Sequence, residues 1–166
     1  TNGKGGTITT DITKTNSQGW YTRFQGTFKR FGDYNTPNYI MSNTGLSERN
    51  FSLKSGLNRV DYGFEVYYSF FNNETGILRA SHLVSAQDIF RGITNGIPLI
   101  IEDFTYNIDA PKQKIKHNLA KFNFFKTIDI GKFNFQYDFQ SNKRQEIDIR
   151  RGDERDTPSI DLRSEE

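Results

Sequence analysis

Residues able to do acid–base, metal or nucleophilic chemistry are sparse in this chain. The only two histidines, His82 and His117, are far apart in the sequence. Neither has a partner at the short spacing of a zinc site, so both read as local hydrogen-bonding groups. Cysteine is absent, which removes a thiolate nucleophile, a disulfide scaffold and a zinc finger. There is no Gly-x-Ser-x-Gly elbow and no phosphate-cradling glycine loop. Glu102-Asp103 is the one acid–base couple to consider. Directly after an apolar run, such a pair reads as solvated rim charge. No catalytic residue, metal or cofactor is expected, and the chain is not read as an enzyme.

Charge points the same way. The 22 basic and 20 acidic side chains leave +2, which carries no nucleic-acid signal. Lys143-Arg144 and Arg150-Arg151 suggest a phosphate or lipopolysaccharide patch, but Glu146, Asp148, Asp153, Glu154 and Asp156 intervene. Mixed charge of that kind reads as a solvated, ion-paired face. Arg151-Gly152-Asp153 is explained by a turn, and the glycosylation sequons at Asn50 and Asn73 identify nothing by themselves. The aromatics are the unusual feature: 15 Phe, 8 Tyr and 1 Trp in a chain only 34% hydrophobic. Four of them, Tyr34, Tyr39, Phe90 and Tyr106, fall on expected loops, where rings can stack on a sugar or cap a ligand path, or simply pack the loop.

The elements that must position these residues are strands. Period-two alternation dominates and helical periodicity is nearly absent. Six strands are predicted, at residues 6–14, 20–31, 50–60, 62–71 and about 113–127, with the sixth built on Phe133, Phe135, Tyr137 and Phe139 alternating with Asn134, Gln136, Asp138 and Gln140. Alternation returns at Ile147 and Ile149. Short reversals at 16–18, 59–61 and 129–131 alternate with long links at 32–48, 72–112 and 150–158. Within the second long link, Ser85-Ala86-Gln87-Asp88 forms a capping box that opens a short helix carrying Ile89, Phe90 and Ile93, ended by Gly96 and Pro98. Its apolar side is expected to pack on the loop or rim.

Short turns at one end and long loops at the other, with aromatic strands longer than ten residues, are the pattern of an up-and-down transmembrane β-barrel with short periplasmic turns and long extracellular loops. A membrane-spanning helix is excluded, because no apolar run approaches the roughly 18 residues it needs. The first residues are polar, with no signal-peptide pattern, and both ends read as cuts through a larger protein.

Five stretches resemble one family in order and spacing. Phe31-Gly32-Asp33-Tyr34, Thr36-Pro37-Asn38-Tyr39 and Asn43-Thr44-Gly45 are similar to a stretch of Bacteroidetes TonB-dependent receptors, and Glu48-Arg49-Asn50-Phe51-Ser52 resembles a second that continues it. Gly76-Ile77-Leu78-Arg79-Ala80-Ser81-His82 resembles a third, ahead of the loop helix. Ala110-Pro111-Lys112-Gln113 with His117-Asn118-Leu119-Ala120-Lys121 resembles the entry into a barrel strand, and residues 144–152 are similar to a further stretch. The resemblance spans roughly residues 5–163.

It implies an outer-membrane receptor with a barrel of about 22 strands, energised by TonB and importing a bulky nutrient of the siderophore-iron, cobalamin, glycan or peptide class. Residues 1–166 then form part of one barrel domain, with no plug domain and no signal peptide. The implied partners are outer-membrane lipid, the TonB complex through the rest of the protein, and, for a glycan importer, a surface lipoprotein. Phe133, Phe135, Tyr137 and Phe139 face lipid on this reading. Two alternatives stay open: a soluble or surface-attached β-sandwich binding module, which would bury those rings against a second sheet, and a small closed porin-like barrel.

Overall fold

The computed structural model describes residues 3–81, 85–149 and 157–166. Seven strands form one antiparallel sheet: β1 (Gly6–Thr15), β2 (Trp20–Phe31), β5 (Leu46–Asn58), β6 (Tyr62–Gly76), β7 (Lys112–Ile128), β8 (Gly131–Ile147) and β9 (Ile160–Glu165). Each pairs with the next in that order, an up-and-down meander whose two edges, β1 and β9, do not pair with each other among the described residues. Two short strands, β3 (Tyr34–Asn35) and β4 (Ile40–Met41), make a separate small hairpin in the β2–β5 link. A 3-10 turn (Arg79–Ser81) and helix α1 (Ala86–Asn95) lie in the β6–β7 link.

The six expected strands are present, and the short reversals fall where the sequence puts them. At the first, Asn16 Oδ1 accepts from the backbone N–H groups of Gln18 and Trp20, and Gly19 takes φ +82°, a conformation glycine adopts freely. Three strand ends differ from expectation. β5 begins at Leu46 and β6 runs on to Gly76, because backbone pairing continues after both faces become polar around 47–50 and 72–75. β8 is one unbroken strand up to Ile147, with Ile149 beyond it. The seventh strand, β9, was not expected. Its six residues pair with 141–146 of β8, although the C-terminal segment carries no obvious closing signal.

The unbroken register sorts the side chains into two faces. One carries Ile8 and Ile12, Trp20, Phe24 and Phe28, Phe51, Leu53 and Leu57, Phe64 to Phe70 in alternation, Ala120, Phe122 and Phe124, and Phe133 to Phe139 in alternation. The other is mostly polar, with Asp11 bonded to Arg23, Lys54 and Glu65 paired at 3.0 Å, and Lys121 beside Asp138 at 3.9 Å. No second sheet covers the apolar face among the described residues: Phe133 is 55% exposed and Tyr137 59%. The packed interior sits at the loop end, where Ile108, Ile147, Pro111, Asp33, Ser42, Asn43 and Lys112 are buried.

Helix α1 has the expected caps. Ser85 Oγ accepts from Asp88 N–H, the Asp88 carboxylate accepts from Ser85 N–H, and Gly96 closes the helix in the left-handed region. Its apolar side is covered less than the sequence reading expects. Phe90 and Ile93 are each 74% exposed, and no residue of the helix is buried. Ile89 and Ile93 border a hollow with Tyr39, Leu78 and Pro98 without being covered by them, so the amphipathic pattern gives this side its direction but not its burial.

Candidate functional site

Loop-end geometry centres on four buried polar residues. Asn43 sits at φ +63° and is 3% exposed. Its Nδ2 donates to the carbonyls of Ile77 (2.9 Å) and Pro111 (2.8 Å), and its Oδ1 accepts from Asp109 N–H (2.9 Å). One side chain thus ties the β6 exit to the β7 entry. Asp33 does the same for two other links: one carboxylate oxygen accepts from Thr44 N–H (2.9 Å) and the other from Thr105 N–H (3.2 Å). Ser42 Oγ accepts from Glu102 N–H (2.8 Å). Lys112 donates to the Ile108 carbonyl (3.0 Å) and pairs with Glu74 (3.4 Å).

These bonds satisfy loop backbone groups that burial would otherwise strand. Close approach is built in as well: a Cβ on Gly76 would lie 2.3 Å from the Asn43 carbonyl oxygen, so the β6 exit needs glycine there. Gly32-Asp33, Asn43-Thr44-Gly45, Gly76-Ile77 and Pro111-Lys112, from three of the family-like stretches, meet in this knot. Sequence reasoning quoted them as motifs but assigned them no role.

The four loop aromatics do not converge. Tyr106 is committed to packing: its hydroxyl donates to the Lys4 carbonyl (2.6 Å), and its ring stands edge-on to Phe104 at 5.1 Å, with Lys4 Nζ 4.4 Å over Phe104. Arg30 donates to the Tyr106 carbonyl. Tyr34 lies on β3, its N–H held by Thr44 Oγ1 (2.9 Å). Tyr39 lines an open hollow of about 540 Å³ with Leu78, Ile89, Ile93 and Pro98. Phe90 does not line that hollow and points away into solvent.

The remaining chemical candidates are neutralised or fall elsewhere. Glu102 is bonded to Arg79 at 2.6 Å, with Asp109 3.5 Å from the same guanidinium. His117 is on β7, opposite Phe71 and Asn142. His82 and residues 150–156, including Arg150, Arg151, Asp153, Glu154 and Asp156, lie outside the described residues. On the polar face, Tyr21 donates to Glu65 (2.6 Å) beside a hollow of about 550 Å³ lined by Asn123, Asn134 and Gln136. Sequence reasoning did not single out this Tyr21–Glu65–Lys54 group, whose members come from three strands.

The apolar face has the most definite geometry. On β8 its run is Phe133 to Phe139, with midpoint at Gln136, and on β1 it is Ile8 to Ile12, with midpoint at Thr10. Following hydrogen-bonded partners from Thr10 leads through Gly26, Phe51, Phe70 and Asn118 to Ser141. Ser141 is five residues past Gln136. The apolar band therefore drifts by about one residue per strand. With about 3.4 Å per residue and about 4.8 Å between strands, that drift inclines the band about 35° to the hydrogen-bond rows. No family model, no curated protein and no solved structure matches the chain.

Proposed function

We propose that this chain is a stretch of the wall of an outer-membrane β-barrel, its apolar face against lipid and its polar face toward the lumen. The observation that carries the reading is the oblique apolar band. Transmembrane barrel strands tilt by 35–45°, so a lipid band level with the membrane must cross the hydrogen-bond rows at such an angle. A soluble sheet has no reason to drift in one direction over six strands. Strand length agrees: β7 and β8 have 17 residues each, whereas crossing takes about 9–11, so both strands continue past the bilayer into the rim. The uncovered Phe133, Phe135, Tyr137 and Phe139 weigh against a sandwich.

Within that class we favour a TonB-dependent receptor that imports a bulky nutrient. What supports this is the resemblance of five ordered stretches, three of which contribute to the rim knot that fixes the long loops. The nutrient is of the siderophore-iron, cobalamin, glycan or peptide class, and TonB and any surface lipoprotein engage the rest of the protein.

Trp20 is the single tryptophan of these 166 residues and lies on the apolar face, so a full protein with every tryptophan outside them replaced by phenylalanine reports from this position. The full protein is refolded into vesicles containing brominated phosphatidylcholine. Quenching of Trp20 with a blue-shifted emission is the expected result. Unquenched, water-like emission from folded protein would sink the membrane reading. For the receptor assignment, uptake of labelled candidate nutrients by cells bearing the full protein should stop when an uncoupler collapses the proton-motive force. Uptake that continues unchanged identifies a passive pore.

A further inference from the structure

The loop-side margin of the apolar face carries a concentration of positive charge that the linear sequence hides. Lys143, Arg144 and Glu146 are near neighbours in the chain, but the register sends them to opposite faces. Arg144 and Glu146 pair with each other at 2.8 Å on the polar face. Lys143 shares the apolar side with Phe139, two positions beyond Ser141. There it stands directly opposite Lys116 on β7 and directly opposite Arg163 on β9. Three cations occupy one row across three neighbouring strands, about 4.8 Å apart from strand to strand.

Like charges placed directly opposite one another in a sheet are destabilising. The same margin also holds Arg49, set 5.8 Å over the Phe28 ring, and Lys114 and Lys112. The carboxylates facing this side are Glu74, shared by Lys112 and Lys114 at 3.4 and 3.7 Å, Asp161, bonded to Arg163 at 3.1 Å, and Glu165, opposite Ser141. Among the described residues, no carboxylate lies within 4.0 Å of Lys116, Lys143 or Arg49, and the only charge of opposite sign felt by Lys143 is the more distant Asp161, already bonded to Arg163. Among the described residues, the turn-side margin of this face has Lys14 and Lys126 on the strands and Arg59 in the reversal.

We infer that the Lys116–Lys143–Arg163 row is a binding site for the phosphate of an anionic lipid headgroup in the loop-side leaflet. This rests on the membrane-wall reading and adds a ligand to it. Position selects the occupant. Lys143 is four residues beyond Phe139, about 14 Å along the strand, where acyl chains give way to headgroups. A phosphate seated across the row meets three donors and relieves their mutual repulsion, while its acyl chains lie along Phe122, Tyr137 and Phe139. Asp161 holds the Nε and Nη2 edge of Arg163 (3.4 and 3.1 Å), so Arg163 offers the phosphate its Nη1 side, and the two lysines contribute point charges.

The test uses the full protein in an uncharged maltoside detergent, titrated with diphosphorylated lipid A and read by native mass spectrometry. A cation near an anionic lipid surface contributes a factor of about five in affinity. Lys116→Gln, Lys143→Gln and Arg163→Gln should each weaken retention by roughly that factor, and the triple variant by roughly a hundredfold. Dephosphorylated lipid A should be retained no better by the parent than by the triple variant. Retention by the triple variant within twofold of the parent would overturn the site, and displacement by an equal concentration of inorganic phosphate would overturn the lipid assignment. Parent and triple variant are also inserted into net-neutral phosphatidylcholine vesicles. If the parent fails to enter them, the membrane reading itself fails; if both enter equally and neither prefers the phosphorylated lipid, only the headgroup site falls.

Discussion

Thr10 and Ser141 are small hydroxyl residues on one hydrogen-bond row, five strands apart on the apolar side of the sheet. A band parallel to the rows would put both at the same depth. The oblique band does not: Thr10 is at the centre of the β1 run, and Ser141 is past the end of the β8 run. Five strand spacings of about 4.8 Å make about 24 Å along the row, and an inclination of about 35° converts this into about 14 Å of height. The apolar belt of outer-membrane barrels is about 25 Å tall, so the proposed placement puts one residue at the midplane and the other at the interface. An arginine at the midplane costs about 2–4 kcal/mol and near the interface about 0–1 kcal/mol. Thr10→Arg should therefore destabilise the inserted protein by about 2–3 kcal/mol more than Ser141→Arg. Equilibrium guanidinium unfolding from lipid vesicles, followed by Trp20 fluorescence, measures the difference. Equal losses within about 0.5 kcal/mol would refute the inclined band and the tilt argument with it.

Asn43→Gly keeps the positive φ without strain and deletes three hydrogen bonds, leaving two carbonyls and one N–H to find water. At about 1 kcal/mol each, the rim should loosen by about 3 kcal/mol, and tryptic cleavage in the 77–111 link should speed up roughly a hundredfold; cleavage within threefold of the parent would contradict the knot. Gly76→Val should release the same link, since its Cβ would lie 2.3 Å from the Asn43 carbonyl oxygen, and unchanged proteolysis would show that the contact yields cheaply. Tyr21→Phe removes one bond to Glu65 but leaves Lys54 in place. Because the group is only half-buried, the unfolding free energy should fall by less than about 1 kcal/mol, and a larger loss would mark the polar face as a structural core.

What the sequence made legible follows from how local each signal is. The β8 rings alternate without interruption, so strand, period and face can all be read from seven residues. The first residues of β5, Ser47 to Asn50, are polar on both sides, and their pairing is decided by partners on β2 and β6. β9 stayed hidden for a related reason: its six residues are exposed on both faces, and only register with β8 makes them a strand. Asn43 acts on carbonyls 34 and 68 positions away, a distance no periodicity can span. The charge run at 143–146 was read as one mixed patch because a linear sequence does not separate the two faces of a sheet.

The apolar band and the rim knot are two separate fixtures on the same strands, and their separation can be measured. Phe135 lies near the turn end of β8, and Ile147, buried beside the knot, is twelve residues further along, about 40 Å away. The two regions share no hydrogen-bond or ion-pair partner among the described residues. Substitutions that far apart without common partners add to within about 0.5 kcal/mol. Phe135→Arg should lower stability through lipid exposure of charge, Asn43→Gly through the rim, and the double variant by the sum of the two. A coupling above about 1 kcal/mol would mean that clamping the loops and seating the sheet in lipid are one cooperative event. On the proposed membrane placement, additivity would mean that the wall can hold its depth in the bilayer while the loops above it are released, the mechanical freedom that the proposed import of a bulky nutrient requires.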